Sequence, residues 1–392
     1  MVVYSVINGV KVMARYYWDE FSFRRDLNQI LHLMEKEKDP QEKIRLEACY
    51  DGLNNLLYSS FLMPDVTTPL SKRIHGLYYD FLNEQRYFGL IDVYMGILEK
   101  HLKLYNEAQT NFEELVTDIR KTGAKVGREQ AVSLCYEFYK DLDDELFSHF
   151  EPFYKKRYSQ LTFLEEAQQS GTSLNEGNQF YVYGLNKSYV DVLGTNTPRM
   201  PLLLIHETGH VIDSSYNPEA SREPSKFEEV SSIFMELVAC YKKLGNFSGN
   251  YYNKHIMGKI SSIFGDAISV DDVYRILGYY KENHYKADED FYKLAMEDGY
   301  TKREIRSTMC TENMRNIVYP IAFPLSIYFF SIYKHNNKEG LKELKKFLST
   351  TDRDTYIPLL TSDHLRDVVD TELVDMMNTA NDSFKKELGR RV

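Results

Sequence analysis

The sequence has no excess of positive charge and no cluster of lysines and arginines. Its 392 residues include 48 Lys and Arg against 58 Asp and Glu, which gives a formal net charge of −10. Proteins that bind the phosphate backbone of nucleic acids need a basic surface, because each contact neutralises a phosphate. We therefore expect no nucleic acid partner.

Cysteine is also scarce. The four copies, Cys49, Cys135, Cys240 and Cys310, form no C-x-x-C pair, so neither a zinc knuckle nor a disulfide framework is predicted. We expect reduced thiols. No apolar run is long enough to span a membrane, and residues 1–17 lack the order of basic, apolar and small residues that marks a secretion signal. These absences favour a cytoplasmic protein with no membrane partner.

What the chain does contain is a large supply of apolar residues in helical patterns. Hydrophobic residues make up 43% and aromatic residues 14% of the sequence, enough to build a large core. Amphipathic helical patterns run from about Trp18 to Glu166 and return after about Tyr251. The β patterns are short: a hairpin within residues 2–13, whose Asn-Gly pair favours a two-residue turn, and a run from Phe180 to Tyr183.

An H-E-x-x-H motif follows an apolar helical run that begins at Leu202. Residues four apart lie on one face of a helix, so His206 and His210 can bind the same zinc ion. Glu207, beside the first histidine, can take a proton from water bound to that ion. The motif predicts zinc-assisted hydrolysis if a third ligand exists.

A second helical pattern downstream carries the candidate third ligand. Eighteen residues separate His210 from Glu229, enough for a turn that lets the second helix pack against the first. A two-His, one-Glu site keeps an open position for water, as catalytic zinc sites do. Glu236 lies two turns further along the same face, where it could orient a ligand histidine. The alternative is that these glutamates form a solvated acidic face.

These segments resemble the core of the oligoendopeptidase F and thimet oligopeptidase family of zinc metallopeptidases. The resemblance rests on the glycine inside H-E-x-G-H and on the second glutamate seven residues after the first. It also includes Ser170-Gly171 and the run from Gln179 to Asn186. It covers roughly residues 165–240, with a weaker similarity near residue 319.

The resemblance implies one zinc ion per chain and oligopeptide substrates. His206, His210 and Glu229 would bind the metal, with Glu207 as general base. Asp213 stands where the family usually carries a third histidine, and with Glu236 it is expected to contact the metal ligands rather than the metal. The distance from the motif to the ligand glutamate is closer to that of thermolysin-like and aminopeptidase-type enzymes, which leaves the subfamily open.

The expected fold is mainly α: a two-lobed helical zinc-peptidase fold with a small β-sheet element next to the H-E-x-x-H helix. Residues 1–166 are expected to form an N-terminal hairpin and helical lobe. Residues 167–392 would form the catalytic zinc-binding lobe with the C-terminal helices. The run from Phe180 to Tyr183 would be the edge strand that accepts the substrate as an added antiparallel strand. The alternative is a plain hairpin that covers the core.

The resemblance also implies a tyrosine on a late helix that stabilises the oxyanion. The apolar helical pattern from 313 to 333 contains Tyr319, our first choice, and Tyr328, our second. Pro320 follows the first choice and can kink the helix, which would turn a side chain out of the packing and into a cleft. A buried core tyrosine is the alternative, because the chain has 31 tyrosines and most must be structural.

Two other functions also fit the sequence. One is a metallocarboxypeptidase of related helical fold, which would need a cation for the terminal carboxylate of the substrate. The candidates for that cation are Arg199, Arg222, Arg303, Arg306 and Arg315. The other is a catalytically silent helical protein that binds peptides. The intact Glu207 argues against it, since a protein without catalysis has no use for a general base.

Overall fold

The computed structural model describes residues 4–7, 10–13, 20–61, 125–164, 177–194, 196–221, 227–247, 251–283, 288–302, 305 and 318–389. The helices are α1 (Glu20–Lys36), α2 (Pro40–Phe61), α3 (Arg128–Leu142), α4 (Asp144–Gln160), α5 (Arg199–Tyr216), α6 (Glu229–Tyr241), α7 (Tyr251–Glu282), α8 (Glu289–Glu297), α9 (Val318–His335), α10 (Asn337–Ser349), α11 (Ile357–Leu360) and α12 (Asp363–Gly389). The strands are β1 (Tyr4–Ile7), β2 (Val10–Met13), β3 (Leu161–Leu164), β4 (Gly177–Val182) and β5 (Lys187–Leu193). The fold is mainly α, as the sequence predicts.

The N-terminal strands β1 and β2 pair antiparallel, with Ile7 opposite Val10. That register leaves a two-residue connection, which is the length that an Asn-Gly turn favours. The predicted hairpin is confirmed, although the two turn residues lie outside the described part of the chain.

The second sheet has the strand order β3-β5-β4, with β5 parallel to β3 and antiparallel to β4. Among the described residues β4 is therefore an edge strand, as predicted for the run that starts at Phe180. A short 3-10 turn (Tyr183–Leu185) connects β4 to β5, and it ends at Asn186 in the left-handed region with φ 46°. Asparagine tolerates this conformation better than most residues, so the sequence suits a tight turn here.

The largest core surrounds α5 and α6. Both helices are apolar on nearly every face, and such helices are buried rather than amphipathic. The late helix α9 packs against α6, with the ring of Tyr333 edge-on to that of Phe234, and the Ser326 hydroxyl donates to the Val230 carbonyl 3.0 Å away. Helices α3 and α4 form the part of this core that lies next to the three-stranded sheet.

Alternation along β5 divides the sheet into two faces. Val190 and Val192 point into the large core, whereas Tyr189 belongs to a smaller core formed with α1 and α2. There its ring stacks on Phe23 with centroids 4.5 Å apart. The sheet is thus covered by helices on both faces, and its β4 edge is positioned beside α5.

Several sequence predictions can be compared with this fold directly. Cys49, Cys135 and Cys240 are free thiols, as expected; Cys310 lies outside the described residues. Within the same residues no helix has both the length and the apolarity needed to cross a bilayer. The predicted boundary between residues 166 and 167 falls in an undescribed stretch, so the two-lobed division stays a prediction.

Candidate metal centre

Helices α5 and α6 approach each other most closely at the glycine of the motif. A β-carbon on Gly209 would lie 2.7 Å from the Cα of Ser232 and would clash with the backbone of α6. Only glycine permits this approach. The Ser231 hydroxyl also donates to the Gly209 carbonyl at 3.3 Å. The motif glycine therefore brings the histidine helix and the glutamate helix into contact.

This contact brings the three predicted metal ligands together. Oε2 of Glu229 lies 3.2 Å from Nε2 of His206 and 3.5 Å from Nε2 of His210. One ligand atom of each residue lies within 4.8 Å of the others, so the group could hold a metal ion. The Ser232 hydroxyl donates to the same Glu229 oxygen at 3.0 Å and fixes the carboxylate. Two imidazole nitrogens and one carboxylate form the donor set of catalytic zinc sites, so these residues fit that metal.

The charges of the candidate ligands His210 and Glu229 depend on each other. Burial opposes the ionisation of His210, but the charge and hydrogen bond of Glu229, with the charges of Glu207 and Glu228, raise the pKa of His210 to about 9. Burial likewise opposes the ionisation of Glu229, yet the two histidines hold its pKa well below the usual range. The geometry therefore favours one ionised carboxylate between two protonated imidazoles. A divalent cation bound at the same place would displace the protons of the imidazoles.

Behind His206, the carboxylate of Glu236 accepts a hydrogen bond from Nδ1 at 3.0 Å. This contact leaves Nε2 of His206 on the side of Glu229. Helix α7 adds two partners to Glu236: Lys259, whose Nζ lies 3.1 Å from Oε2, and His255, whose Nε2 contacts Oε1. Such outer contacts orient ligand histidines in metalloproteins.

Sequence reasoning missed His255 and Lys259. Their only signal is a spacing of four residues, which is common on exposed helix faces and carries no metal signature. The contact with Glu236 exists because α7 packs against α6. Both residues are thus assigned to the centre by tertiary structure alone.

Glu207 is 6% exposed and lies beside the first residue of the edge strand. A β-carbon on Gly177 would come within 2.5 Å of Oε1 of Glu207, so glycine leaves room for the carboxylate. Burial raises the pKa of Glu207, and the charges of the two motif histidines oppose that rise. On the central strand, burial and the charge of Glu207 raise the pKa of Asp191 to about 7. Sequence reasoning did not single out Asp191, because only the sheet brings it near Glu207.

Tyr319 lies at the candidate centre, whereas Tyr328 contacts none of the three candidate ligands in the described part of the chain. The Tyr319 hydroxyl donates to the Glu229 carboxylate, and the charge of Glu229, followed by burial, raises the pKa of this tyrosine well above its ordinary value. Nζ of Lys259 lies 5.7 Å from the Tyr319 ring centroid. Tyr328 is half-buried on another face of α9, where its ring packs edge-on against His364.

Asp213 has a different partner from the one expected. Its two carboxylate oxygens accept from the guanidinium of Arg353, with Nη1 2.9 Å from Oδ2. Both side chains are buried. This pair ties α5 to the 3-10 segment Arg353–Tyr356, and among the described residues Asp213 makes no contact with a ligand histidine.

The arginines considered for a terminal carboxylate are not brought to the metal centre by the described part of the structure. Arg199 is the first residue of α5, nearly two turns before His206. The other four candidates lie outside the described residues.

Comparison with known proteins identifies the fold. No family model matches the sequence, and no curated protein matches it. Among solved structures, one described as an oligoendopeptidase F from Bacillus anthracis str. Ames superposes with a TM-score of 0.56 at 15% identity, over 91% of this chain and 70% of that one. The chain has the oligoendopeptidase F fold. The family resemblance seen in residues 165–240 is therefore confirmed at the level of fold.

Two further structures agree with that assignment. Another oligoendopeptidase F structure gives a TM-score of 0.53 at 12% identity, over 96% of this chain and 72% of the other. A PZ peptidase A with an inhibitor gives 0.50 at 13% identity, with the same two coverages of 96% and 72%. The oligoendopeptidase F fold thus extends over most of this chain, far beyond the segment that carries the sequence resemblance.

Proposed function

We propose that this protein is a zinc-dependent metallopeptidase that hydrolyses peptide bonds in oligopeptides. The observation that carries the proposal is the convergence of His206, His210 and Glu229 within 4.8 Å, with buried Glu207 on the same helix. The fold supports it, because the similar structures are peptidases by name.

The three ligands would hold one zinc ion per chain. When bound there, zinc would polarise the scissile carbonyl and lower the pKa of water. Glu236 supports this role from behind, because its hydrogen bond with Nδ1 of His206 fixes the tautomer that leaves Nε2 free to bind metal. His255 and Lys259 hold Glu236 in turn.

Glu207 is the proposed general base. It takes the proton from the attacking water and passes it to the nitrogen of the leaving amine. Its burial raises its pKa, and a higher pKa makes a carboxylate a better proton acceptor near neutral pH. Tyr319 would donate a hydrogen bond to the developing oxyanion, because its hydroxyl already lies beside Glu229.

Strand β4 is the proposed platform for the substrate. Its first residue, Gly177, lies against Glu207, and its outer edge has no partner strand among the described residues. A peptide added antiparallel to this edge would be held through its backbone, which suits substrates of varied sequence. A cytoplasmic location stays a prediction from the sequence.

The test separates metal binding from catalysis. Elemental analysis of protein purified without added metal should find one zinc per chain, and Glu207→Gln should keep that zinc while turnover falls by several orders of magnitude. Glu219→Gln, on the loop after α5, is the matched control and should behave as wild type. Normal turnover in Glu207→Gln, or no zinc and no activation by added zinc, would refute the proposal.

Product analysis decides the mode of cleavage. Hydrolysis of peptides whose two ends are blocked supports internal cleavage. Cleavage restricted to peptides with a free terminal carboxylate would favour the metallocarboxypeptidase, and zinc-independent peptide binding without cleavage would favour the silent binding protein.

A further inference from the structure

A cavity lies where α1, α4 and the β4–β5 turn meet. Its volume is about 650 Å³. Its walls include Arg25, Lys156 and Lys187, and Asp26 is the one carboxylate among its described lining residues. Three cations and one carboxylate leave a formal charge of +2, in a chain whose net charge is −10. The cavity is therefore a local site of opposite charge to the whole protein.

Two of the cations share the same carboxylate. Oδ1 of Asp26 lies 3.2 Å from Nη2 of Arg25, and Oδ2 of Asp26 lies 2.5 Å from Nζ of Lys187. Lys156 has no ion-pair partner among the described residues. Burial lowers the pKa of Lys187, Asp26 opposes that effect, and the charges of Arg25 and Lys156 lower it further. The charges of Arg25 and Lys156 thus each disfavour the charged form of Lys187, and an anion in the cavity would offset that effect.

The cavity lies at the far end of the edge strand from the metal centre. Gly177, at the start of β4, contacts Glu207, whereas Tyr181 lines the cavity. These two residues and Gln179 between them share one face of the strand. Four residues along a strand span about 13 Å. Val211, one residue after the second motif histidine on α5, also lines the cavity.

The direction of β4 decides which part of a substrate would reach this cavity. A peptide that pairs antiparallel with β4 runs from the Tyr181 end towards the Gly177 end in its own N-to-C direction. Residues before the cleaved bond would therefore pass the cavity, and those after it would leave in the other direction.

From this geometry we propose that the cavity binds a substrate carboxylate, namely an acidic side chain about four residues upstream of the cleaved bond. Arg25, Lys156 and Lys187 supply the charged N–H donors, which form stronger hydrogen bonds with carboxylates than neutral donors do. The assignment of an upstream position rests on the proposed peptidase function. The substrates selected by the site are thus oligopeptides with Asp or Glu on the N-terminal side of the cleaved bond.

The first experiment compares peptides that differ at one position. One blocked peptide carries Glu four residues before the cleaved bond, a second carries Gln there, a third carries Glu four residues after the bond, and a fourth has a free C-terminal carboxylate. The wild type should cleave the first with a kcat/KM about two- to fivefold above the second, since Lys187 is largely buried but Arg25 and Lys156 are exposed. Equal values for the first two, or a gain only for the third or fourth, would overturn the proposal.

A charge reversal with a matched control tests the residue itself. Lys156→Glu should abolish or invert the preference for Glu over Gln, because the new carboxylate repels the substrate. Lys155→Glu is the control, because Lys155 is also exposed on α4 but pairs with Glu151 at 2.7 Å and does not line the cavity. It should keep the wild-type preference. If both variants lose the preference for Glu, the preference comes from the overall charge of this surface and not from the cavity, and the assignment is wrong.

A binding measurement separates this proposal from the proposed function. Fluorescence anisotropy of labelled Glu and Gln peptides on Glu207→Gln needs no hydrolysis. Tighter binding of the Glu peptide that is lost with Lys156→Glu supports the cavity even if the wild type cleaves nothing, in which case only the peptidase function fails. If the protein cleaves peptides normally but neither assay distinguishes the Glu peptide from the Gln peptide, the cavity assignment is wrong and the peptidase function stands.

Discussion

Nδ1 of His206 and Nζ of Lys259 contact the same atom, Oε2 of Glu236, at 3.0 Å and 3.1 Å. The three residues come from α5, α6 and α7. Burial opposes the ionisation of Glu236, but Lys259, with His206 and His255, holds its pKa well below the usual range. The carboxylate that contacts the proposed metal ligand His206 is therefore kept charged chiefly by a lysine from a third helix.

The first prediction concerns Lys259. Lys259→Met should weaken zinc affinity about tenfold, close to the 10- to 100-fold loss expected for Glu236→Gln, because both changes disturb the orientation of His206. Lys259→Arg should retain most of the affinity, since it restores the positive charge. Competition with a chelator of known affinity measures all three, with Glu297→Gln on the exposed face of α8 as control. If Lys259→Met binds zinc with wild-type affinity, Lys259 contributes only packing.

The second prediction is the pH dependence of metal uptake. The pKa of His210 is raised to about 9, and only a neutral imidazole can bind zinc. Zinc must therefore displace a proton at neutral pH, and the apparent affinity should rise about tenfold per pH unit for each displaced proton. The rise should end near pH 9. Chelator competition between pH 6 and 9 measures it, and a flat profile from pH 6 to 8 would contradict the geometry.

The third prediction concerns Asp191 and stability. Its pKa of about 7 in the fold exceeds its ordinary value of 3.8, so the folded chain holds the proton more tightly than the unfolded chain. The stabilisation from protonated Asp191 is complete below about pH 4 and is lost as the pH rises through 7. Asp191→Asn should therefore raise the Tm at pH 8.

The gain from Asp191→Asn should shrink steadily between pH 8 and pH 4. Thermal melts of chelator-treated protein at several pH values check this, with Asp367→Asn on the exposed face of α12 as control. A gain of the same size at both ends of the range would show that ionisation of Asp191 is not the cause.

The fourth prediction assigns the oxyanion donor. Tyr319→Phe removes the hydroxyl beside Glu229 and should lower kcat by about 10²- to 10³-fold, the usual loss for one such donor. Zinc content and Tm should change little, because the ring stays in place. Tyr328→Phe should keep full activity, since its ring contacts His364 instead. Full kcat in the Tyr319 variant would return this tyrosine to a structural role.

Much of the candidate metal centre could be predicted from local spacing. His206 and His210 share a helix face because they are four residues apart, and Glu229 and Glu236 share another because they are seven apart. The hairpin at the N-terminus follows from the Asn-Gly pair, and the helices α5, α6 and α9 follow from their apolar runs. Each of these predictions needs only residues that are neighbours along the chain.

The tertiary structure decided the partners of those residues. Asp213 pairs with Arg353, 140 positions later, and Lys187 pairs with Asp26, 161 positions earlier. No periodicity relates residues so far apart, because their contact depends on how whole helices and strands pack. The same holds for Lys259 beside Glu236 and for Asp191 beside Glu207. The sequence by itself determined which side chains could carry the chemistry, and packing determined their charge states, since burial and nearby charges arise only when distant segments meet.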